Sequence, residues 1–475
     1  MADIIKPDLC VIGAGALGTS LAIRARQAGL DTMLIRRSAD AANDPASAIL
    51  RRAAFMASAR RAQLLRTAAS LGLTNAEPKP NFRTIAERAA YVAELAAPQD
   101  SDDRLAALGI TVLSDDAAFL DKQTLRCGDA RIRARQFALA TGAVPLIPAL
   151  PGLDQVAFFT PNSIADNIRK LSHLLVIGAT PVAFELAQAY RRLGSAVTLV
   201  PQGALLAGFD PELVAILLRD LRDEGVTILD DAEVTAILPR SQGTGIAITR
   251  AGSEESLDVS HILLAMGDLP DLDAGLLDLT RLKREHLRPD HLLLGPDGQS
   301  SSGRITALGG AAGISDPQIA QRQAVLLVER LLGHGAGRLE PLAVPRLVMT
   351  EPALAQLGLL ETGKALRPGQ TVLRSNLAEN HATRADGLSR GAAKVIVDAK
   401  GTVSAAGAVG AGAGEVIGTL ALALSRGLGI GDLASLALPQ PSAAQALVDL
   451  ADQFLANQKP AGWRNRLPMV SKNSR

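Results

Sequence analysis

Residues 9–37 constrain the fold more than any other part of the chain. An apolar run from Leu9 to Ile12 enters the turn Gly13-Ala14-Gly15-Ala16-Leu17-Gly18, an Ala-rich helical stretch follows, and a second apolar run begins at Thr32. This order of strand, glycine-rich turn, helix and strand is the context in which G-x-G-x-x-G predicts a dinucleotide-binding unit. Gly13 permits the tight turn, Gly15 lets a pyrophosphate approach the backbone, and Gly18 lets the helix pack on the strand. The helix N-terminus then offers amides to the phosphates.

The residue that ends the second strand of this unit departs from the usual pattern. An acidic side chain about 20 residues after the glycines normally holds the ribose hydroxyls. This chain has Arg36 there. Two interpretations stay open: Arg36 pairs with a nucleotide 2′-phosphate, or it is an exposed arginine at the end of a strand.

Composition excludes several classes of function. A net charge of +1 gives no overall attraction to nucleic acid or to a membrane surface, and 3% aromatic residues are too few for base-stacking platforms. The two cysteines, Cys10 and Cys127, exclude a disulfide framework, and the six histidines show no metal-ligand spacing. The apolar stretch Val403–Leu424 carries Glu415 and is not expected to span a membrane. With no signal-peptide pattern at residues 1–8, a cytoplasmic location is expected.

A second strand-turn-helix-strand pattern begins at His173. Gly178 is present, but Thr180 and Ala183 stand where the second and third glycines are expected. The helix and second strand are intact, so a nucleotide-type βαβ unit is predicted with restricted access for a pyrophosphate at Thr180. A third glycine-rich segment, Gly410–Gly414, is interpreted as a close-packed strand-to-helix turn because no ribose-reading unit follows it.

An arginine-rich helix is predicted over residues 46–71. Arg51, Arg52, Arg60, Arg61 and Arg66 lie opposite apolar residues of the same stretch. The favoured interpretation is a solvated polar face, and the alternative is a dedicated anion site. Cys10 and Cys127 are both expected to be structural thiols.

Several matching segments make the chain similar to the pyridine nucleotide–disulphide oxidoreductases, in particular to dihydrolipoyl dehydrogenases and mercuric reductases. The segments are Gly13-x-Gly15-x-x-Gly18, Ala140-Thr141-Gly142, Val176-Ile177-Gly178 with Phe184-Glu185-Leu186-Ala187, and Met349–Ala355 with Leu357-Gly358. The resemblance covers nearly the whole chain, from Asp8 to about Phe454.

This resemblance implies an α/β architecture in which a second Rossmann-like domain is inserted in the first and an α+β dimerisation domain follows. The implied boundaries are residues 1–150 and 268–335 for an FAD-binding domain, 151–267 for an NAD(P)-binding domain, 341–457 for dimerisation and 458–475 for a tail. It also implies FAD, NAD(P)H and a homodimer. The implied cofactor-binding positions are Gly13, Gly15, Gly18, Arg36, Thr141, Gly142, Gly178, Glu185, Gly309 and Gly310.

The chain departs from the family where the family does its thiol chemistry. The connection from Arg36 to Pro45 is too short for the family's C-x-x-x-x-C loop, and the family lysine falls on Ser47, so its pairing with Glu185 is predicted to be lost. The family's His-Pro-Thr…Glu pair is matched by Gln440-Pro441-Ser442 and Gln445, and neither amide titrates near neutral pH. The family's Gly-Asp contact to the flavin is matched by Gly309-Gly310.

Two hypotheses follow from these departures. In the first, which we favour slightly, the protein is a flavoenzyme that passes electrons from NAD(P)H through FAD to a non-thiol acceptor, with no catalytic side chain assigned. In the second, it is a catalytically silent homologue that serves as a nucleotide-binding or structural subunit. The missing ribose and flavin carboxylates at Arg36 and Gly310 favour the second, and the intact first turn favours the first.

Overall fold

The computed structural model describes residues 4–37, 45–95, 101–272, 277–335, 344–358, 360, 366–388 and 390–458. The chain forms two compact units. Unit 1 comprises residues 1–207 and 221–340, and unit 2 comprises residues 208–220 and 341–475. The predicted tail beyond residue 458 lies outside the described residues, and the finer division of unit 1 into two domains stays a prediction.

The first sheet of unit 1 is parallel and has the strand order β18-β8-β2-β3-β4. Its strands are β2 (Leu9–Ile12), β3 (Thr32–Arg36), β4 (Thr111–Ser114), β8 (Gln136–Leu139) and β18 (Ile305–Ala307). The two central strands, β2 and β8, are buried on both faces, which explains their continuous apolar sequence. This arrangement places the carboxyl ends of β8, β2 and β3 side by side at one edge.

The second parallel sheet of unit 1 has the order β12-β11-β10-β16, and an antiparallel sheet β13-β14-β15 packs near it. The strands are β10 (His173–Ile177), β11 (Ala196–Val200), β12 (Thr227–Ile228), β13 (Ala232–Pro239), β14 (Thr244–Arg250), β15 (Ser253–Val259) and β16 (His261–Leu264). The βαβ unit predicted from His173 is therefore present, because β10 and β11 pair in parallel.

Two smaller sheets complete unit 1. One has the order β1-β7-β6-β5 and the other pairs β9 with β17 in antiparallel fashion. Their strands are β1 (Ile4–Ile5), β5 (Ala117–Phe119), β6 (Leu125–Cys127), β7 (Ala130–Ile132), β9 (Ala143–Pro145) and β17 (Asp268–Pro270). The β9–β17 pair holds the segment after the Ala-Thr-Gly motif against the segment after β16.

Capping side chains mark where several of the helices begin. The described helices are α1 (Ala16–Gln27), α2 (Pro45–Thr67), α3 (Phe82–Glu94), α4 (Asp102–Ala107), α5 (Pro181–Arg192), α6 (Pro211–Asp223), α7 (Pro317–Leu331), α8 (His381–Ala385), α9 (Ala413–Ser425) and α10 (Gln445–Gln458). Asp316 caps α7 by accepting hydrogen bonds from the amides of Gln318 and Ile319.

Unit 2 is built on an antiparallel sheet with the order β19-β20-β23-β22-β21. Its strands are β19 (Arg346–Val348), β20 (Ala353–Leu357), β21 (Thr371–Asn376), β22 (Ala392–Val397) and β23 (Val403–Gly410), and its core includes apolar residues of α9 and α10. The glycine-rich segment after β23 is a strand-to-helix turn, as interpreted. Gly412 adopts φ +70°, and a Cβ there would lie 2.7 Å from the Cβ of Ala443.

A buried ionic cluster joins two segments of unit 2 that are distant in sequence. The Lys394 ammonium lies 2.7 Å from a carboxylate oxygen of Asp210 and 2.9 Å from one of Glu212. Arg374 also binds Glu212, and its hydrogen bonds, together with Lys394, lower the pKa of Glu212 to about 2 against the opposing effect of burial. These ion pairs attach the start of α6 to the sheet of unit 2.

Candidate functional site

The first glycine-rich turn connects β2 to α1 by a very close approach of backbone to backbone. Gly13 adopts φ +111°, and a Cβ on it would lie 2.3 Å from the carbonyl oxygen of Ala140. A Cβ on Gly18 would lie 1.8 Å from the carbonyl oxygen of Gly13. Neither position tolerates a side chain, so the roles assigned to Gly13 and Gly18 from their spacing match the packing.

The N-terminus of α1 has the features of an anion site. Gly15 is the N-cap residue and provides no side chain to cap the helix, and the first turn contains no acidic residue. A phosphate placed there meets the positive end of the helix dipole. The phosphate end of a dinucleotide therefore fits this turn.

The second glycine-rich turn differs because its own side chains satisfy the helix end. Thr180 accepts a hydrogen bond from the amide of Ala183 at 3.4 Å and donates its hydroxyl to the carbonyl of Ala265 at 2.8 Å. Pro181, the first residue of α5, has no amide hydrogen. Gly178 keeps φ +142°, and a Cβ on it would lie 2.1 Å from the oxygen of Ala265. The close packing of this turn against the end of β16 is retained, but fewer amides remain for a phosphate.

Arg36 is held by a neighbouring helix. Its guanidinium lies 2.8 Å from a carboxylate oxygen of Asp102 in α4, and its side chain is about one-third exposed. This ion pair joins the end of β3 to α4, and the choice between the two interpretations of Arg36 stays a prediction.

The adjacent Arg37, which the sequence interpretation did not single out, lies closer to the candidate site. It donates to the carbonyl oxygen of Thr141 at 2.9 Å and to a carboxylate oxygen of Asp271 at 2.9 Å. The hydroxyl of Thr141 donates to the carbonyl of Asp271 at 2.7 Å. Thr141 lies 104 residues and Asp271 lies 234 residues from Arg37 in the sequence, so no local sequence pattern predicts these two contacts.

The segment Gly309–Ala312 forms a short 3-10 helix against the Ala-Thr-Gly motif. A Cβ on Gly310 would lie 2.6 Å from the carbonyl carbon of Gly142 and 2.8 Å from the amide nitrogen of Ala143. A Cβ on Gly309 would lie 2.7 Å from a methyl carbon of Leu17. The structure thus brings Thr141, Gly142 and Gly310 together, as expected for one site, but in a packing that leaves no room for an acidic side chain at residue 310.

Glu185 has a cationic partner that the sequence comparison did not foresee. Its carboxylate is 2% exposed and lies 2.6 Å from the guanidinium of Arg52 in α2. Arg52 thereby supplies the positive charge that the lysine at position 47 would supply. Desolvation raises the pKa of Asp268 at the start of β17, and the positive charge of Arg52 opposes this rise.

Three of the five arginines of α2 depart from the expected solvated face, whereas Arg60 and Arg61 are exposed as expected. Arg51 pairs with Asp166, Arg52 with Glu185 and Arg66 with Glu77. The three arginine side chains are mostly buried, because each reaches a different part of unit 1. Arg66 in addition donates to the carbonyl oxygen of Arg192 at the end of α5.

The two cysteines are free and buried. Burial raises the pKa of the Cys10 thiol far above its usual range, and it also raises the pKa of Cys127. Both sulfurs lie in the apolar cluster between the first sheet and the β5–β6–β7 hairpins, as expected for structural thiols. At neutral pH neither provides the thiolate that disulfide chemistry requires.

In unit 2, the matched His-Pro and Glu positions carry a pair of amides in contact. The Gln440 amide donates to the side-chain oxygen of Gln445 at 3.0 Å.

Over the part of the chain that the structure describes, no group of three potential metal ligands occurs, and no helix has the length and apolarity to cross a bilayer.

The two turns and their sheets define a nucleotide-binding α/β protein, and comparisons with known proteins specify the family. The family model of the pyridine nucleotide-disulphide oxidoreductases matches residues 7–324, and the model of their dimerisation domain matches residues 344–451. The chain therefore belongs to the pyridine nucleotide-disulphide oxidoreductase family. The family is FAD-dependent and carries an NAD(P)H-binding domain, and the expected α/β fold with a C-terminal dimerisation domain is confirmed.

Relatives match along most of the chain. A mercuric reductase from Streptomyces lividans is 28% identical over 466 residues, which are 95% of this chain and 96% of that protein. Dihydrolipoyl dehydrogenase 3 from Pseudomonas aeruginosa is 28% identical over 330 residues, covering 67% of this chain and 69% of the relative. A Cu(II) complex of the HOCl-induced flavoprotein disulfide reductase RclA from Escherichia coli has the same fold, with a TM-score of 0.80, 21% identity and coverage of 95% and 100%.

The ion pair of Arg52 and Glu185 is testable by its contribution to stability. We expect Arg52→Ala to lower the free energy of unfolding by about 3 kcal/mol, because it leaves a buried carboxylate without this positive charge. Urea denaturation measures the change. Arg250→Ala, which removes an exposed partner of Asp231, is the matched control and should cost about 1 kcal/mol or less. Equal losses in the two variants would show that the buried pair has no special role.

Proposed function

We propose that this protein is an FAD-dependent NAD(P)H oxidoreductase that delivers electrons to an acceptor other than a thiol or disulfide. The observation that carries the proposal is the N-terminus of α1, where the glycine packing is intact, the N-cap residue Gly15 has no side chain and the first turn of the helix contains no acidic residue. When bound, FAD supplies the electron-transfer chemistry, and this does not depend on protein thiols.

The residues of unit 1 have different parts in this proposal. Gly13 and Gly15 hold the pyrophosphate of FAD at the first turn, and Thr141 and Gly142 lie beside it at the carboxyl end of β8. NAD(P)H is assigned to the turn at Gly178, where the cap by Thr180 reduces the number of available amides. We therefore expect the protein to bind NAD(P)H more weakly than it binds FAD.

Three observations support a non-thiol acceptor. Cys10 and Cys127 are buried thiols with raised pKa values. The connection between Arg36 and Pro45 contains no cysteine. The amides of Gln440 and Gln445 bond to each other and do not titrate near neutral pH. Losing the thiols removes the need for the acid-base pair, so the changes are mutually consistent.

A second candidate function is a catalytically silent nucleotide-binding or structural subunit. The self-capped turn at Thr180 and the packing of Gly310 on Gly142 favour it, because each reduces contact with a dinucleotide. The absorption spectrum of the purified protein separates the two candidates. A bound flavin absorbs near the blue end of the visible spectrum and supports the enzyme, whereas colourless protein that does not take up FAD supports the silent subunit.

The turn at Gly15 provides the direct test of the flavin site. We expect Gly15→Val to abolish FAD binding while the protein stays folded, because a β-branched side chain blocks the approach of the pyrophosphate to the backbone. Flavin content per chain after gel filtration measures the loss, and circular dichroism checks the fold. Unchanged flavin content in Gly15→Val would show that FAD does not bind at this turn.

The two thiols provide the test of the acceptor chemistry. We expect the double variant Cys10→Ser/Cys127→Ser to keep the NAD(P)H oxidation rate of the wild type, apart from effects of lower stability, because neither sulfur takes part in electron transfer. Steady-state oxidation of NADH and NADPH with an artificial quinone acceptor measures the rate. A hundredfold loss in a folded double variant would instead implicate a thiol in the reaction.

We also propose that the chain forms a C2 homodimer through unit 2. The dimerisation-domain match covers residues 344–451, and exposed leucines in this unit include Leu347, Leu422 and Leu428. Obligate interfaces commonly bury more than roughly 2,000 Å². We expect light scattering at micromolar concentration to give twice the chain mass of 49.3 kDa. A mass equal to that of one chain would contradict the dimer.

A further inference from the structure

Arg37 crosses the crevice in which a dinucleotide would lie on unit 1. In the first sheet, β2 lies between β8 and β3. Arg37 follows β3, and Thr141 follows β8. Neighbouring strands lie about 4.8 Å apart, so the two strand ends are about 10 Å from each other. The side chain that joins them passes over the carboxyl end of β2, directly where the glycine-rich turn begins.

Two hydrogen bonds from one guanidinium nitrogen hold the far end of this crossing. Arg37 bonds to the carbonyl of Thr141 and to the carboxylate of Asp271, each at 2.9 Å. The Asp271 segment is fixed in turn, because its amide donates to the carbonyl of Gly142 at 3.1 Å and its carbonyl accepts from the Thr141 hydroxyl. The side chains of Arg37 and Asp271 are only 11% and 24% exposed. Water therefore screens this pair less than it screens an exposed pair.

We propose that the ion pair of Arg37 and Asp271 is a latch that closes the first nucleotide crevice until a dinucleotide displaces it. The ligand class is a dinucleotide with a pyrophosphate, and this inference rests on the proposed binding of FAD at the same turn. On opening, the guanidinium exchanges the Asp271 carboxylate for phosphate oxygens, which are equally good charge-assisted partners. Arg37 is then both the obstacle to binding and a contact to the bound ligand.

The latch makes a quantitative prediction about affinity. A site that is open for only a fraction of the time binds with its intrinsic dissociation constant divided by that fraction. If the closed form is favoured about tenfold, opening it permanently tightens binding about tenfold. Asp271→Asn removes the charge that favours the closed form while keeping Arg37, whereas Arg37→Met opens the crevice and also removes the phosphate partner.

The experiment compares these variants as full-length apoprotein. FAD affinity is measured by quenching of flavin fluorescence, and hydrogen exchange is measured at the amides of residues 13–18 without ligand. We expect Asp271→Asn to lower the dissociation constant for FAD about tenfold, to bind FAD more tightly than Arg37→Met does, and to speed amide exchange at the turn. Asp231→Asn, which removes the carboxylate of an exposed arginine pair on the second half of unit 1, should match the wild type in both measurements.

The outcomes separate the latch from the proposed function. Faster exchange in both latch variants with no FAD binding by any protein supports the latch and contradicts the flavoprotein assignment. Wild-type FAD binding that neither variant changes, with unchanged exchange, overturns the latch and leaves the flavoprotein assignment in place. Weaker FAD binding in Asp271→Asn also overturns it, because the carboxylate would then help to hold the ligand.

Discussion

The close approach of α1 to β2 is the constraint on which the rest of unit 1 depends. Gly13 packs the turn against Ala140 after β8, and Gly18 packs the helix against the turn, so closely that a single added carbon at either position would overlap a carbonyl oxygen. These contacts fix where α1 begins relative to the carboxyl ends of β2 and β8. Everything else that we assign to the site, including Thr141, Gly142 and the crossing by Arg37, takes its position from that packing.

Arginines carry the charge at the positions where the family resemblance predicts other groups. Arg52 pairs with the buried Glu185. Arg52 lies on α2, one turn or more beyond position 47, where the family resemblance predicts a lysine. Arg36 replaces an acid at the end of β3 and binds Asp102, while Arg37 spans the crevice to Asp271. A guanidinium is long, forked and always charged, so it can satisfy a carboxylate from a distance that a lysine ammonium serves less well. The site thus stays electrostatically balanced although its residues differ.

The sequence predicted the backbone of this protein better than its ion pairs, for a physical reason. Glycine spacing and apolar runs are local signals, and they led correctly to both βαβ units, to the turn after β23 and to the family. The partners of Arg37 and Glu185 come from remote segments, and a long side chain leaves no periodic trace of where it points. For the same reason Arg51, Arg52 and Arg66 of α2 were interpreted as solvated, although folding brings acidic residues from other segments to them.

The packing of Gly310 against Gly142 limits which residues position 310 can carry. Because any Cβ at residue 310 would meet the backbone of Gly142 and Ala143, a single substitution cannot place an aspartate there without moving the backbone. The 309–312 segment would have to shift away from Gly142, and a side chain at residue 309 would in addition meet Leu17. An acidic contact to a ligand at this point of the fold therefore requires coordinated changes in two segments of the chain.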